Sequence, residues 1–234
     1  MLPDFQLSSI IFSENNLELT EELYSKLDIY ADFLVEYNKN VNLTAITEPT
    51  EMLIKHFADS ILLCRYVDIP LNASIIDVGT GAGFPSVPLK LYRPDLKITL
   101  LDSLNKRITF LSMLCEKLEI DAELIHGRAE DISKKPEYRE KFDISCARAV
   151  ANMSLLSELC IPFVKVGGFF VAMKGPSEDV SVGYNAVKLL GGNVVSETDY
   201  ELADEERRVI LVNKISQTPT KYPRNSSQIK KKLL

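Results

Sequence analysis

SIIDVGTGAGFP, residues 74–85, is the stretch on which the reading of this chain turns. Ile75, Ile76 and Val78 make a short β-branched run, broken by one acid, Asp77. A buried parallel strand is written this way. Gly79, Gly81 and Gly83 follow at alternate positions. Glycines there allow positive φ and close approach of the backbone to a ligand. An apolar helix is predicted from about Pro85, whose missing N–H costs nothing in a first turn. Strand, glycine turn and helix N-terminus together make a nucleotide-type binding corner.

A dinucleotide fingerprint needs G-x-G-x-x-G, with its third glycine at position 84. Phe84 stands there instead. An aromatic and a proline over the helix start do not suit a diphosphate, which needs bare amides. Asp77 at the strand end is expected beside the pocket, where it would favour a cationic ligand. S-adenosylmethionine meets both conditions, having an ammonium and a sulfonium and no phosphate. The second strand ends TLLDS, residues 99–103, which places Asp102 where an acid holds ribose hydroxyls. NAD enzymes share that acid, so it implies a ribose without discriminating.

The chain has 234 residues, 46% of them hydrophobic and 26% charged, enough apolar material for one α/β domain with accessory segments. No apolar run reaches membrane-spanning length and the N-terminus lacks a basic region followed by an apolar one, so a soluble, cytoplasmic protein is expected. Cys64, Cys115, Cys146 and Cys160 form no C-x-x-C pair, and His56 and His126 are the two histidines. Reduced thiols are expected rather than a zinc site. Net charge is −6, yet the last twenty residues carry Lys221, Arg224, Lys230, Lys231 and Lys232 and no acid, leaving about −11 on the rest. Such asymmetry hints at a basic arm, although a charge run is more often a solvated tail.

Residues 1–70 read as a helical segment. Thr20, Glu21 and Glu22 start a helix, and Leu23, Leu27, Tyr30, Leu34 and Tyr37 form its apolar stripe. NKNVNLT, residues 38–44, interrupts before a second helix from about Thr50 to Tyr66. From residue 71 to 214 strands and helices alternate. Strands are predicted near 74–78, 97–102, 122–126, 142–147, 169–174, 193–199 and 207–213, and helices near 85–92, 105–118, 153–163 and 177–190. This pattern demands an α/β fold, a mostly parallel sheet with helices on both faces. Its last two strands have no helix between them and should form an antiparallel edge hairpin. That seven-stranded, Rossmann-like architecture is similar to the class I S-adenosylmethionine-dependent methyltransferases. Residues 215–234 show little periodicity and read as a basic tail.

Ligands in such sheets lie over the C-terminal strand ends. After strand three comes HGRAEDI, residues 126–132; in methyltransferases of this class that loop contacts adenine, and Ala129–Glu130 holds its place. After strand four comes CARAVA, with Arg148. Methyltransferases that attack amino nitrogens carry an Asp or Asn, Pro, Pro, aromatic run there, which is missing. Arg148 can instead pair with an anion or donate to a purine edge, or form a salt bridge to a nearby acid.

NLT (42–44), HFADS (56–60), DVGTGAGFP (77–85), LLDS-x-x-KR (100–107), RAVA (148–151), MKG (173–175) and KYPR (221–224) occur together in this order. The set resembles the bacterial small-subunit ribosomal RNA guanine-N7 methyltransferase family, also called glucose-inhibited division protein B. The resemblance runs from about Asn38 to Arg224. It departs at Asn225–Ile229, NSSQI, where the family spaces Gly and Pro among lysines. It implies methyl transfer from S-adenosylmethionine to N7 of one guanine in the decoding region of 16S ribosomal RNA. By position it implies cofactor contacts at Gly79, Phe84, Ala129, Glu130 and Arg148, with Gly81 in the same turn and Asp102 on the ribose. Guanine N7 has an exposed lone pair and no proton, so alignment suffices and no general base is expected. Arg148 is expected at the cofactor carboxylate or guanine O6.

Lys174, Arg207, Arg208, Lys221, Arg224 and the terminal lysines are expected to bind RNA, with salt-dependent affinity. Looped or single-stranded RNA is the expected target, since N7 is poorly reachable in an A-form duplex. The partner is then 16S ribosomal RNA or the small ribosomal subunit, with no membrane and a monomeric chain. Asn38, Asn42 and His56 are polar candidates on the helical segment. Competing readings are a small-molecule methyltransferase, an NAD-dependent dehydrogenase and a non-catalytic RNA-binding factor. Phe84 and the want of a hydride-site His or Lys disfavour the dehydrogenase.

Overall fold

The computed structural model describes residues 1–148, 151–175 and 179–234. Ala149 and Val150 of the RAVA motif, and the start of the helix predicted from 177, lie outside the described residues. The chain opens with α1 (Phe5–Glu14) and α2 (Glu21–Asn38). Thr20 caps α2 by accepting from the Leu23 amide at 3.1 Å, and the stripe Leu23, Leu27, Tyr30 and Leu34 is buried.

The second helix is not one helix. It divides into α3 (Pro49–Met52), a π-helical stretch Leu53–Ala58, α4 (Asp59–Ile61) and α5 (Leu63–Tyr66). Periodicity cannot separate a π turn from an α turn in so short a run. Such widened turns are frequent at functional sites, and this one carries Lys55 and His56.

The alternating region follows the expected order: β1 (Ser74–Val78), α6 (Ser86–Tyr92), β2 (Lys97–Asp102), α7 (Asn105–Leu118), β3 (Ala122–His126), α8 (Ala129–Ile132), β4 (Phe142–Arg148), α9 (Met153–Cys160), β5 (Val164–Lys174), α10 (Tyr184–Leu189), β6 (Gly192–Leu202) and β7 (Glu205–Lys214). The seven strands form one sheet in the order β3-β2-β1-β4-β5-β7-β6. The first five are parallel, while β7 is antiparallel to both β5 and β6. Ala203 and Asp204, at φ +52° and +58°, make the tight turn of this edge hairpin. The chain leaves β1 for β2 on one side and returns to β4 on the other. The glycine turn therefore sits at the switch point where such sheets hold ligands.

Gly83, at φ +101°, is required by packing. A Cβ there would lie 2.8 Å from the Tyr30 hydroxyl and 2.8 Å from Val87 Cγ2. The Tyr30 hydroxyl donates to the Ala82 carbonyl, so α2 clamps the turn from behind.

The last twenty residues are not a free tail. Tyr222 is buried, and Ser226–Lys231 forms α11, opened by a capping box between Asn225 and Gln228. Arg224 pairs with Glu158 at 2.6 Å, and Glu158 is only 1% exposed. Arg139 donates to the Thr218 and Tyr222 carbonyls at 2.8 and 3.0 Å. Periodicity missed this segment because its helix is six residues long and its partners lie far away in sequence. The N-x-x-Q capping signal in NSSQI was the available clue. Removing Arg224 would leave a buried carboxylate uncompensated. Arg224→Ala is expected to cost ~3–5 kcal/mol of stability, read as an earlier urea midpoint, whereas an unchanged midpoint would mean that the segment does not support the fold.

Candidate functional site

A cleft of about 430 Å³ lies over the glycine turn, lined by Gly79, Gly81, Phe84, Asp102, Arg148, His56 and their neighbours. That volume falls within the ~300–1,000 Å³ of small-molecule sites. A Cβ on Gly81 would meet nothing closer than the Gly79 carbonyl at 4.0 Å, so the backbone here faces open space.

The amides of the turn are already engaged. Those of Gly79 and Thr80 donate to the Leu101 carbonyl at 2.8 and 3.2 Å, and those of Gly83 and Phe84 to Thr80 O at 2.9 and 3.1 Å. Gly81 N donates to Asp102 Oδ2 at 3.1 Å, and Ser86 N to Asp77 Oδ2 at 3.2 Å. Few N–H groups remain to cradle a diphosphate. The engaged backbone, together with Phe84, makes the turn unsuited to a diphosphate.

Asp77 corrects an expectation. It does not face the cleft; it is fully buried beneath it and accepts from Thr80 Oγ1 at 2.9 Å and from Ser86 N. It shapes the turn rather than attracting a cation. Burial pushes its pKa up to about 7 from the usual 3.8. The folded chain therefore binds a proton that the unfolded chain has lost, and stability falls as pH rises from about 4 to about 7. Asp77→Asn is expected to remove that slope. The variant should gain a few kcal/mol on the native chain across the window, at ~1.4 kcal/mol per pKa unit. Urea titrations at each pH measure it, and parallel curves would mean that Asp77 is not the titrating group.

Asp102, 2% exposed, holds the rim of the cleft. Oδ2 takes the Gly81 amide and Arg107 Nη1 at 3.1 Å each, and Oδ1 takes the Leu104 amide at 2.9 Å. A carboxylate offers about four acceptor positions, so one remains.

Arg148, at the end of β4, packs over the Phe84 ring, with Cζ 4.7 Å from its centroid. Its Nη1 donates to Asp59 Oδ2 at 3.1 Å and to the Lys55 carbonyl at 3.2 Å. Its Nη2 lies 3.3 Å from His56 Nδ1. Arginine only donates, so Nδ1 accepts and the histidine proton sits on Nε2, 2.8 Å from Thr44 Oγ1. Burial, helped by Arg148, lowers the His56 pKa to about 3, keeping the ring neutral. The ring stacks on Phe84 at 4.4 Å between centroids. The salt bridge weighed for Arg148 exists, but inside the site.

A second cavity, of about 200 Å³, shares His56 and Arg148 with the first and is also lined by Lys55, Asp59, Lys174 and Tyr200 among others. Tyr200 donates to Asp59 Oδ1 at 2.7 Å and stacks on Tyr66. Asp59, Lys55 and Tyr200 were not singled out for the site from the sequence. The signal was weak: Asp59 lies on a broken helix, and Tyr200 enters from the edge hairpin 141 residues later.

Of the residues expected on RNA, Lys174 and Arg207 line this second cavity. Arg208 points to the other face of β7, as strand alternation requires, and pairs with Asp199 at 2.5 Å. Lys221 lies over the Tyr222 ring and Arg224 is held by Glu158, both away from these cavities. Ala129 and Glu130 are buried and do not line the cleft, and the Glu130 carboxylate accepts from Ser226 of α11. Asn38 is structural: Oδ1 accepts from the Leu43 and Thr44 amides at 2.7 and 3.1 Å, fixing the loop above the cleft. Asn42 is exposed and lines neither cavity.

Comparison with known proteins bears on the fold and on the family. The chain shares its fold with an S-adenosylmethionine-dependent methyltransferase from Aquifex aeolicus (TM-score 0.53, 18% identity, 70% of this chain and 93% of that one). It also shares it with TrmN from Thermus thermophilus (TM-score 0.53, 14% identity, 70% and 53%). It is 49% identical to the ribosomal RNA small subunit methyltransferase G of Lactobacillus acidophilus, over 94% of this chain and 95% of that one. Identity to the Clostridium botulinum protein of the same name is 45%, over 92% of each. The family model GidB, rRNA small subunit methyltransferase G, matches residues 23–206, and with these relatives it places the chain in that family.

Proposed function

We propose that this chain transfers a methyl group from S-adenosylmethionine to N7 of one guanine in the decoding region of 16S ribosomal RNA. Family membership makes it an S-adenosylmethionine-dependent rRNA methyltransferase. The observation that carries the reading is the cleft at the β1/β4 switch point, whose turn amides are engaged and whose rim is the Asp102 carboxylate.

These residues fit the cofactor. Gly79 and Gly81 would admit it close to the backbone, Phe84 would flank it and Asp102 would take one ribose hydroxyl at its remaining acceptor position. The adenine contact that the resemblance implies at Ala129 and Glu130 falls outside this cleft, and the Glu130 carboxylate instead accepts from Ser226. When bound, S-adenosylmethionine supplies a methyl group on a positively charged sulfur. The chain's part is then alignment and charge. Guanine N7 has no proton to remove, and neutral His56 is placed to pack and orient. Arg148, between the two cavities, positions the base. Lys174 and Arg207 would meet RNA phosphate at the mouth of the smaller cavity. Such a chain works in the cytoplasm, where ribosomal subunits are made. Among the described residues no helix is long and apolar enough to cross a membrane.

Radiolabelled methyl transfer to small subunits from cells lacking the protein tests the reading. One 16S guanine should acquire the label at N7. Label on a different base, or none, would overturn it.

A further inference from the structure

The smaller cavity contains a grouping that the reading above does not use. At about 200 Å³ it is below the ~300–1,000 Å³ of sites that hold whole cofactors. It suits a fragment such as one base. Asp59, 4% exposed, is its buried carboxylate. Each oxygen has one donor, the Tyr200 hydroxyl on Oδ1 and Arg148 on Oδ2, so acceptor positions remain on both. Lys55 and Arg207 are both tied to Glu205, at 2.8 and 2.6 Å, which ranges these cations along one wall. A phosphate would be drawn to that wall and repelled by Asp59. A neutral group with hydrogen-bond donors would be drawn to Asp59.

We propose that this cavity seats the target guanine, unstacked from the RNA, and that Asp59 is the residue that selects it. The inference rests on the methyltransferase reading. Guanine carries two adjacent donors, N1–H and the 2-amino group, that a carboxylate can accept together, an arrangement the other standard bases lack. A guanine placed so would turn O6 toward the neighbouring Arg148. N7 lies beyond O6 on the same side and would face the wall shared with the glycine cleft. One orientation thus satisfies Asp59, gives Arg148 an acceptor and aims the nucleophile at the cofactor. Single bases splayed from loops are the usual targets of such reading. After transfer the base is cationic, and the same carboxylate lies beside it.

The test uses small subunits rebuilt with inosine in place of the target guanosine. Inosine lacks the 2-amino group and keeps N1–H, O6 and N7. The native enzyme should favour guanosine ~10- to 100-fold in kcat/KM, the value of one hydrogen bond to a charged group. Asp59→Asn should lose that preference, to within about threefold, because the amide does not replace the charge. Tyr200→Phe keeps the ring and loses the hydroxyl that orients Asp59, and should narrow the preference partly. A purely structural role for Asp59 would lower both rates and leave their ratio intact. Equal rates of the native enzyme on the two subunits overturn the proposal, as does an undiminished ratio in Asp59→Asn. If Asp59→Asn no longer binds S-adenosylmethionine by calorimetry, the native ratio and Tyr200→Phe decide. Transfer to neither substrate overturns the underlying reading, and the guanine seat with it.

Discussion

Arg148→Ala is expected to lower methyl transfer to small subunits by ~100-fold or more, the scale on which a displacement of about 1 Å in the reacting groups acts. The guanidinium contacts Asp59, the Lys55 carbonyl, His56 and the face of Phe84. It is the side chain that joins the π-helical stretch to the end of β4. Its loss would leave Asp59 with Tyr200 alone and free His56 and Phe84 to shift across the wall between the cavities. Arg148→Lys is expected to restore little, because a single ammonium cannot reproduce a planar fork that donates to three partners and lies over a ring. Initial rates of label incorporation measure the effect, with circular dichroism confirming the fold. Activity intact in Arg148→Ala would remove this residue from the mechanism.

Asp102→Ala is expected to weaken S-adenosylmethionine binding by ~10- to 100-fold, with a smaller effect on the rate at saturating cofactor. Two causes add. A ribose hydroxyl loses its acceptor, and the Gly81 amide and Arg107 lose the group that fixes them. The shape of the turn and the contact to the ligand thus depend on one carboxylate. Calorimetric titration reads the affinity directly. Undiminished binding would place the ribose elsewhere in the cleft.

Two layers of the site differ in how far the sequence disclosed them. Gly79, Gly81, Phe84 and Asp102 were legible because they lie at the ends of strands whose residues are nearly all buried. The turn that joins each strand to its helix has few solutions, so type and spacing almost specify position. Asp77 belongs to the same motif yet was misplaced. Strand alternation puts successive side chains on opposite faces, and a carboxylate one residue from the strand end points under the turn. The 215–234 segment was misread for another reason. Its order comes from Glu158, Glu130 and Arg139, which nothing local announces.

What the sequence determined by itself was the sheet, its switch point and a cleft unsuited to a diphosphate, since strand burial, glycine spacing and Phe84 are local properties of the chain. Only the tertiary structure decided the second cavity. Lys55, His56 and Asp59 from a π-distorted helix, Arg148 from the central sheet and Tyr200 from the edge hairpin converge there. Their convergence depends on how the helical segment packs across the strand ends, a long-range outcome of burying α2 and the sheet together. No short motif encodes that distance.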